Sequence, residues 1–161
     1  MKIKGIIHED FINYKKPSMT IEFPICKNFK CDKECGQQVC QNSSLAKSPT
    51  HDIPINKIVL SYLKNSITSA LVCQGLEPFD SMEDLFDLIT EFKYYTNDDV
   101  VIYTGYTEDE LISKNIINVM QKMYKNIIIK FGRFIPNKPS YYDETLGVFL
   151  ASSNQYAKKI C

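Results

Sequence analysis

Four of the chain's six cysteines fall between Cys26 and Cys40, in the segment C-KNFK-C-DKE-C-GQQV-C, with four, three and four residues between successive thiols. Thiols this crowded are a poor choice for packing alone, because a small apolar side chain fills the same space without the risk of oxidation. The segment therefore predicts a bound metal or an iron–sulfur cluster. On spacing alone two occupants stand open: four thiolates can wrap one tetrahedral Zn²⁺ and staple the loop, or they can hold iron and sulfide. The number of ligands then sets the chemistry. A cluster held by four cysteines has every iron closed and carries electrons only, whereas one held by three leaves an iron open to a substrate.

No other set of side chains competes. His8 and His51 are the only histidines, lie far apart and read as surface or packing residues. No nucleophile–His–acid set stands out, so hydrolase chemistry is not expected. Cys73 lies in an apolar run and reads as a core residue, and Cys161 reads as incidental. Glu77 stands between Gly75 and Pro78 at the end of an apolar run. Gly-Leu-Glu-Pro by itself signals a turn; its place opposite the cysteine loop adds a functional reading.

The elements that must position these residues follow from the apolar pattern. From residue 19 onward it switches repeatedly between strand-like and helix-like, which predicts an α/β fold of βα units around a mostly parallel sheet. Met19–Phe23 reads as a strand running into the cysteine loop. Ile53–Lys64 reads as a helix with Ile58, Val59, Tyr62 and Leu63 at helical spacing, and Ala70–Val72 as a buried strand ending at Gly75. Ser81 is a candidate cap for a helix whose stripe is Met82, Leu85, Phe86, Ile89 and Phe92. Val100–Tyr103 is the next strand. Thr107 and Glu110 form a capping box that opens a helix through Ile112, Ile116, Val119, Met120 and Met123. Ile127–Ile129 is a strand that ends at Gly132, residues 136–145 read as a Pro- and Tyr-rich loop, and Val148–Leu150 as a last strand. In such a sheet the loops beyond the carboxyl ends of the strands gather the ligand site. The cysteine loop, Gly75–Asp80, Tyr103–Tyr106 and Gly132–Phe134 are expected to converge there.

The 161 residues suit one domain with a substantial core. Nineteen Lys and Arg balance nineteen Asp and Glu, so no net charge draws the chain to phosphate backbones or anionic lipid, and neither nucleic acid nor membrane is expected as a partner. The N-terminal MKIKGIIHEDFINYKKP reads as neither a signal nor a transit peptide. No apolar run approaches the ~20 residues that cross a bilayer. The expected location is cytoplasmic, where reduced thiols favour metal over disulfides.

Five segments, in order, carry a resemblance to a known family: Cys40-Gln41-Asn42 closing the cysteine loop, Gly75-Leu76-Glu77-Pro78, Tyr103-Thr104-Gly105-Tyr106, Gly132-Arg133-Phe134, and Ala151-Ser152-Ser153-Asn154-Gln155. They resemble the radical S-adenosylmethionine (radical SAM) proteins, most closely the small activating proteins of anaerobic (class III) ribonucleotide reductase, along nearly the whole chain. Tyr-Thr-Gly-Tyr matches the family segment unaltered. Other positions depart. The family separates its three cysteines by three and then two residues, whereas Cys26, Cys31 and Cys40 are separated by four and then eight, with Cys35 inserted. Leu76 stands where the family's Gly-Gly-Glu-Pro has its second glycine, and Phe131 where relatives often carry Asp.

The resemblance implies a partial (β/α) barrel of radical SAM type, a single domain over 1–161 with a cysteine-rich cluster loop at 25–45. It implies a [4Fe–4S] cluster on Cys26, Cys31 and Cys40, with Cys35 as an alternative ligand. S-adenosylmethionine (SAM) would bind to the open iron and lie against Gly75, Glu77, Pro78, Thr104, Gly105 and Tyr106. The implied activity is reductive cleavage of SAM to a 5′-deoxyadenosyl radical, which takes hydrogen from a glycine on the large subunit of anaerobic ribonucleotide reductase. Flavodoxin or ferredoxin would donate the electron, and no side chain need serve as acid or base. Two alternatives remain: a radical SAM enzyme with a small-molecule or peptide target, and a non-catalytic iron–sulfur or zinc protein.

Overall fold

β-Branched runs separated by amphipathic segments produce alternating strands and helices. The computed structural model describes residues 1–27 and 29–161. The chain opens with β1 (Lys2–Ile3), β2 (Gly5–Asp10) and β3 (Ser18–Phe23). The cysteine loop, in which Asn28 lies outside the described residues, carries two short helices, α1 (Lys30–Cys35) and α2 (Ser43–Lys47). Then follow β4 (His51–Asp52), α3 (Ile55–Lys64), β5 (Ala70–Gly75), α4 (Met82–Tyr95), β6 (Asp99–Tyr103), α5 (Glu108–Ser113), α6 (Ile116–Met123) and β7 (Ile127–Phe131). The chain closes with β8 (Tyr141–Asp143), β9 (Val148–Leu150) and β10 (Tyr156–Lys159).

Six strands form one sheet in the order β10-β7-β6-β5-β3-β2, with β7, β6, β5 and β3 mutually parallel and both edge strands antiparallel. The α/β class and the mostly parallel sheet are as expected. The strand order is linear between the edges β10 and β2, and no pairing closes the sheet into a barrel among the described residues.

Because successive strand residues point to opposite faces, each central strand serves two cores. Met19, Ile21, Phe23, Leu71, Cys73, Val100, Ile102, Ile127 and Ile129 meet the apolar faces of α3 to α6 on one side. Ala70, Val72, Val101 and Ile128 face the other way and pack with Tyr14, Leu146 and Leu150, under the β8–β9 hairpin. Each fully buried Ile or Leu in these layers contributes about 1.5–3 kcal/mol, and neither α1 nor α2 contributes a buried residue. Cys73 is fully buried, as expected.

Several local expectations fail for identifiable reasons. Ser81 makes no side-chain cap: a 3₁₀ turn over Pro78–Ser81 runs directly into α4, and the Ser81 hydroxyl is buried without a hydrogen-bond partner. Met82 and Leu63, expected on apolar stripes, are 39 % and 42 % exposed, and Leu88 completes the buried face of α4 instead. The helix expected from Thr107 to Met123 breaks at Asn115, whose φ of 59° is left-handed. Residues 141–143, read as loop, form a strand that takes Val148–Leu150 as its partner, and the last strand of the main sheet is β10. Among the described residues no helix is long and apolar enough to cross a membrane.

Candidate metal centre

The four parallel strands end side by side, so the segments leaving them meet on one edge. Backbone hydrogen bonds join these segments to one another. Leu76 N donates to Phe23 O (3.2 Å), Glu77 N to Ile25 O (2.8 Å), Thr104 N to Lys130 O (2.9 Å) and Gly132 N to Tyr106 O (3.0 Å). They bound a cavity of about 480 Å³ whose walls include Glu22, Gln74, Tyr103 and Lys130, the strand residues that point away from the helices. All four regions expected to converge supply lining residues.

Cys26, Cys31 and Cys40 line this cavity, while Cys35, on the last turn of α1, is not among its lining residues. None of the cysteines is disulfide-bonded. Burial pushes the Cys31 and Cys40 thiols above the ordinary range, and neighbouring thiols add to it, Cys40 acting on Cys31 and Cys26 on Cys40. Opposing this, the Phe134 backbone bonds to Cys31 and the Asn42 backbone to Cys40. Asp32 Oδ1 accepts from Val39 N (2.7 Å) and Cys40 N (2.8 Å), which folds the inserted residues back on α1. The Asn42 amide donates to Gly75 O, and Lys27 N donates to Asp80 Oδ2 (2.7 Å), so both ends of the loop are held on the segment after β5.

Five of the six residues expected to bind cofactor line the cavity: Gly75, Glu77, Thr104, Gly105 and Tyr106. Pro78 is buried behind it in the 3₁₀ turn. Gly75 has a φ of 98°, and a Cβ there would stand 2.7 Å from Phe23 N, so this position needs glycine for the approach of β3. Glu77 is 5 % exposed. Its Oε1 accepts from Thr104 Oγ1 (2.7 Å) and Phe79 N (3.2 Å), and its Oε2 from Gly105 N (2.8 Å), which ties the ends of β5 and β6 together. Burial outweighs these donors and pushes its carboxyl up to about 7. Tyr106 donates through its hydroxyl to Asp80 Oδ1 (2.8 Å).

The structure adds contacts of charged residues that sequence reasoning passed over. Arg133 Nη2 donates to both Glu110 oxygens (2.6 and 2.8 Å), Lys30 Nζ donates to Glu110 Oε1 (2.8 Å), and Arg133 Nε lies 3.2 Å from Glu34 Oε1 without the alignment of a hydrogen bond. Burial would raise the Glu110 carboxyl, but Lys30, the Thr107 amide and Arg133 hold it down at about 2. These pairs clamp α1 to α5. Lys130 is buried on β7, and loss of water lowers its ammonium pKa to about 8. Its signal was present as the one charged residue in Ile-Ile-Ile-Lys-Phe, with the parity that points away from the helices. Behind these groups, Asn154 Nδ2 donates to Arg133 O (2.8 Å) and Gln155 Nε2 to Gly132 O (3.2 Å), so Ala151–Gln155 braces the segment after β7.

An α/β sheet that brings three cysteines to the carboxyl edge of its parallel strands defines a metal- or cluster-binding domain. Residues 25–157 match the family described as 4Fe-4S single cluster domain; the chain belongs to that family and is an iron–sulfur protein. Neither the curated proteins nor the solved structures include a match. The family decides between the zinc and iron that spacing left open.

The residues fit the cluster by chemistry. Three thiols share one cavity, backbone groups bond two of them, and a buried cation stands near Cys31. Among the described residues no group of three or more His, Cys, Asp or Glu side chains stands close enough together to hold a metal ion.

Proposed function

We propose that this iron–sulfur protein is a radical SAM activase that generates a glycyl radical on the large subunit of anaerobic ribonucleotide reductase. Cys26, Cys31 and Cys40 hold a [4Fe–4S] cluster, Cys35 stays outside it, and SAM occupies the remaining cavity beside Gly75, Glu77, Pro78 and Thr104–Tyr106. The observation that carries this reading is the sharing of one cavity by three of the four clustered thiols and by all four strand-end segments. When bound, cluster and SAM together supply one-electron reductive cleavage and hydrogen abstraction.

The chain's own part is to bind, orient and exclude water. Glu77 locks Thr104 and Gly105 in place, so the backbone of both strand ends forms a fixed floor. Phe29, Leu76, Phe134 and Leu150 give the cavity apolar walls that keep water from a reactive intermediate. At the rim Ile12 and Phe149 are 78 % and 73 % exposed, and such an apolar mouth suits a protein substrate better than a small polar one. A flavodoxin- or ferredoxin-like carrier supplies the electron, in the cytoplasm.

The test is anaerobic. Protein reconstituted with iron and sulfide, then reduced and given SAM, is expected to form 5′-deoxyadenosine and, with the large subunit present, a glycyl radical visible by electron paramagnetic resonance. A fully loaded, reduced cluster that leaves SAM intact overturns the reading. SAM cleavage with no radical on the reductase moves it to another target. Replacing Cys35 with Ala is expected to spare both cluster and cleavage.

A further inference from the structure

Burying an ammonium is costly unless a negative group compensates it. Lys130 is 7 % exposed, yet none of the ion pairs among the described residues includes it. Its Nζ donates to two carbonyls, Thr104 O (3.3 Å) and Gly132 O (3.0 Å), and lies 5.7 Å from the centre of the Tyr103 ring. An ammonium has three donors, and this one lines the cavity with the thiols. The negative groups that act on it are Glu77 and Cys31. Glu77 already accepts three hydrogen bonds from other partners. Arg133, the other cation acting on Cys31, is matched by Glu110 and Glu34. Among the described residues that line the site, Lys130 is thus the cation in no ion pair.

We propose that Lys130 is the built-in counter-charge of the cluster held by Cys26, Cys31 and Cys40, raising its reduction potential toward the reach of a low-potential flavin or iron–sulfur donor. This rests on the ligand set named above. Three thiolates give a cubane cluster a net negative charge, and reduction adds one more electron without forming or breaking a bond or moving a proton. A fixed cation nearby favours the more negative state, and net charge is one of the levers that set such potentials.

The experiment is a potentiometric titration of the reconstituted protein without SAM, followed by electron paramagnetic resonance. Lys130→Gln keeps a donor for the carbonyls and removes the charge, Lys130→Met keeps the stem alone, and Lys130→Arg keeps the charge. Both neutral variants are expected to titrate at lower potential, with the reduced-to-oxidised ratio at a given donor potential down on the order of tenfold, about 59 mV for one electron. Lys130→Arg is expected to stay near the parent protein. Should the neutral variants lose the cluster while the Arg variant keeps it, charge compensation is again supported; loss from all three overturns it in favour of shape. Neutral variants that load normally with an unchanged potential overturn it as well, including the case in which only SAM affinity falls. A cluster that survives Cys31→Ala would instead fault the ligand set.

Discussion

Among single residues Glu77 carries the clearest consequence. Burial lifts its carboxyl from the ordinary 4.5 to about 7 in the folded protein. Between those values the folded protein holds a proton that the unfolded chain has released, so this group's contribution to stability falls as pH rises from about 4.5 to 7 and is level above; linkage puts the whole change at roughly 3 kcal/mol. Carbon-13 NMR of the side-chain carboxyl is expected to find a midpoint near 7. Thr104→Val removes a donor that favours the charged form and is expected to raise it further; an unmoved midpoint would mean that the hydroxyl contributes nothing. The sequence marked Glu77 through its Gly and Pro neighbours, but not the three donors it binds, two of which come from the end of β6. Lys130 went unread for a related reason. In a strand of five residues the chain does not say which face is covered by helices and which by a cavity.

At the scale of elements, the capping box of α5 was legible because Thr107 and Glu110 announce it locally, and both of its hydrogen bonds are present. Its second use was not legible, since Lys30 is 80 residues away in sequence. Glutamine also serves at the third position of a capping box. Glu110→Gln is therefore expected to leave far-ultraviolet circular dichroism unchanged while speeding amide exchange in residues 30–35, where the clamp on α1 has been removed. Unchanged exchange there would show that the ion pairs do not restrain α1. The sign with pH agrees: a carboxyl held at about 2 gives a contribution that is complete above the usual carboxylate range and lost as pH falls toward 2. The missed strands β8 and β10 have few apolar residues and exposed faces, so periodicity had little to register.

For the whole molecule, neither core draws a residue from the cysteine loop. The sheet is buried on both faces by residues outside the cysteine loop, and the loop helices bury none. Unlike small zinc domains, which unfold without their metal, this protein is expected to keep its sheet when the cluster is stripped by chelation or air. Thermal unfolding of the stripped and loaded forms would check this, and collapse of the stripped form at ordinary temperature would refute it. The βα order was readable from residue 19 onward because alternation reports which elements exist, while the pairing of β10 with β7 depends on segments brought together only by the fold.

The loop's two fastenings, Lys27 N on Asp80 and the Asn42 amide on Gly75 O, bear on how such proteins can diverge. Once both ends of a segment are pinned, doubling the length between them costs only about 0.6 kcal/mol in closure entropy. The eight residues between Cys31 and Cys40 are then inexpensive slack. The ruler that locates the thiols is the pair of pins, and a pattern that counts residues between cysteines measures the rope and misses the knots.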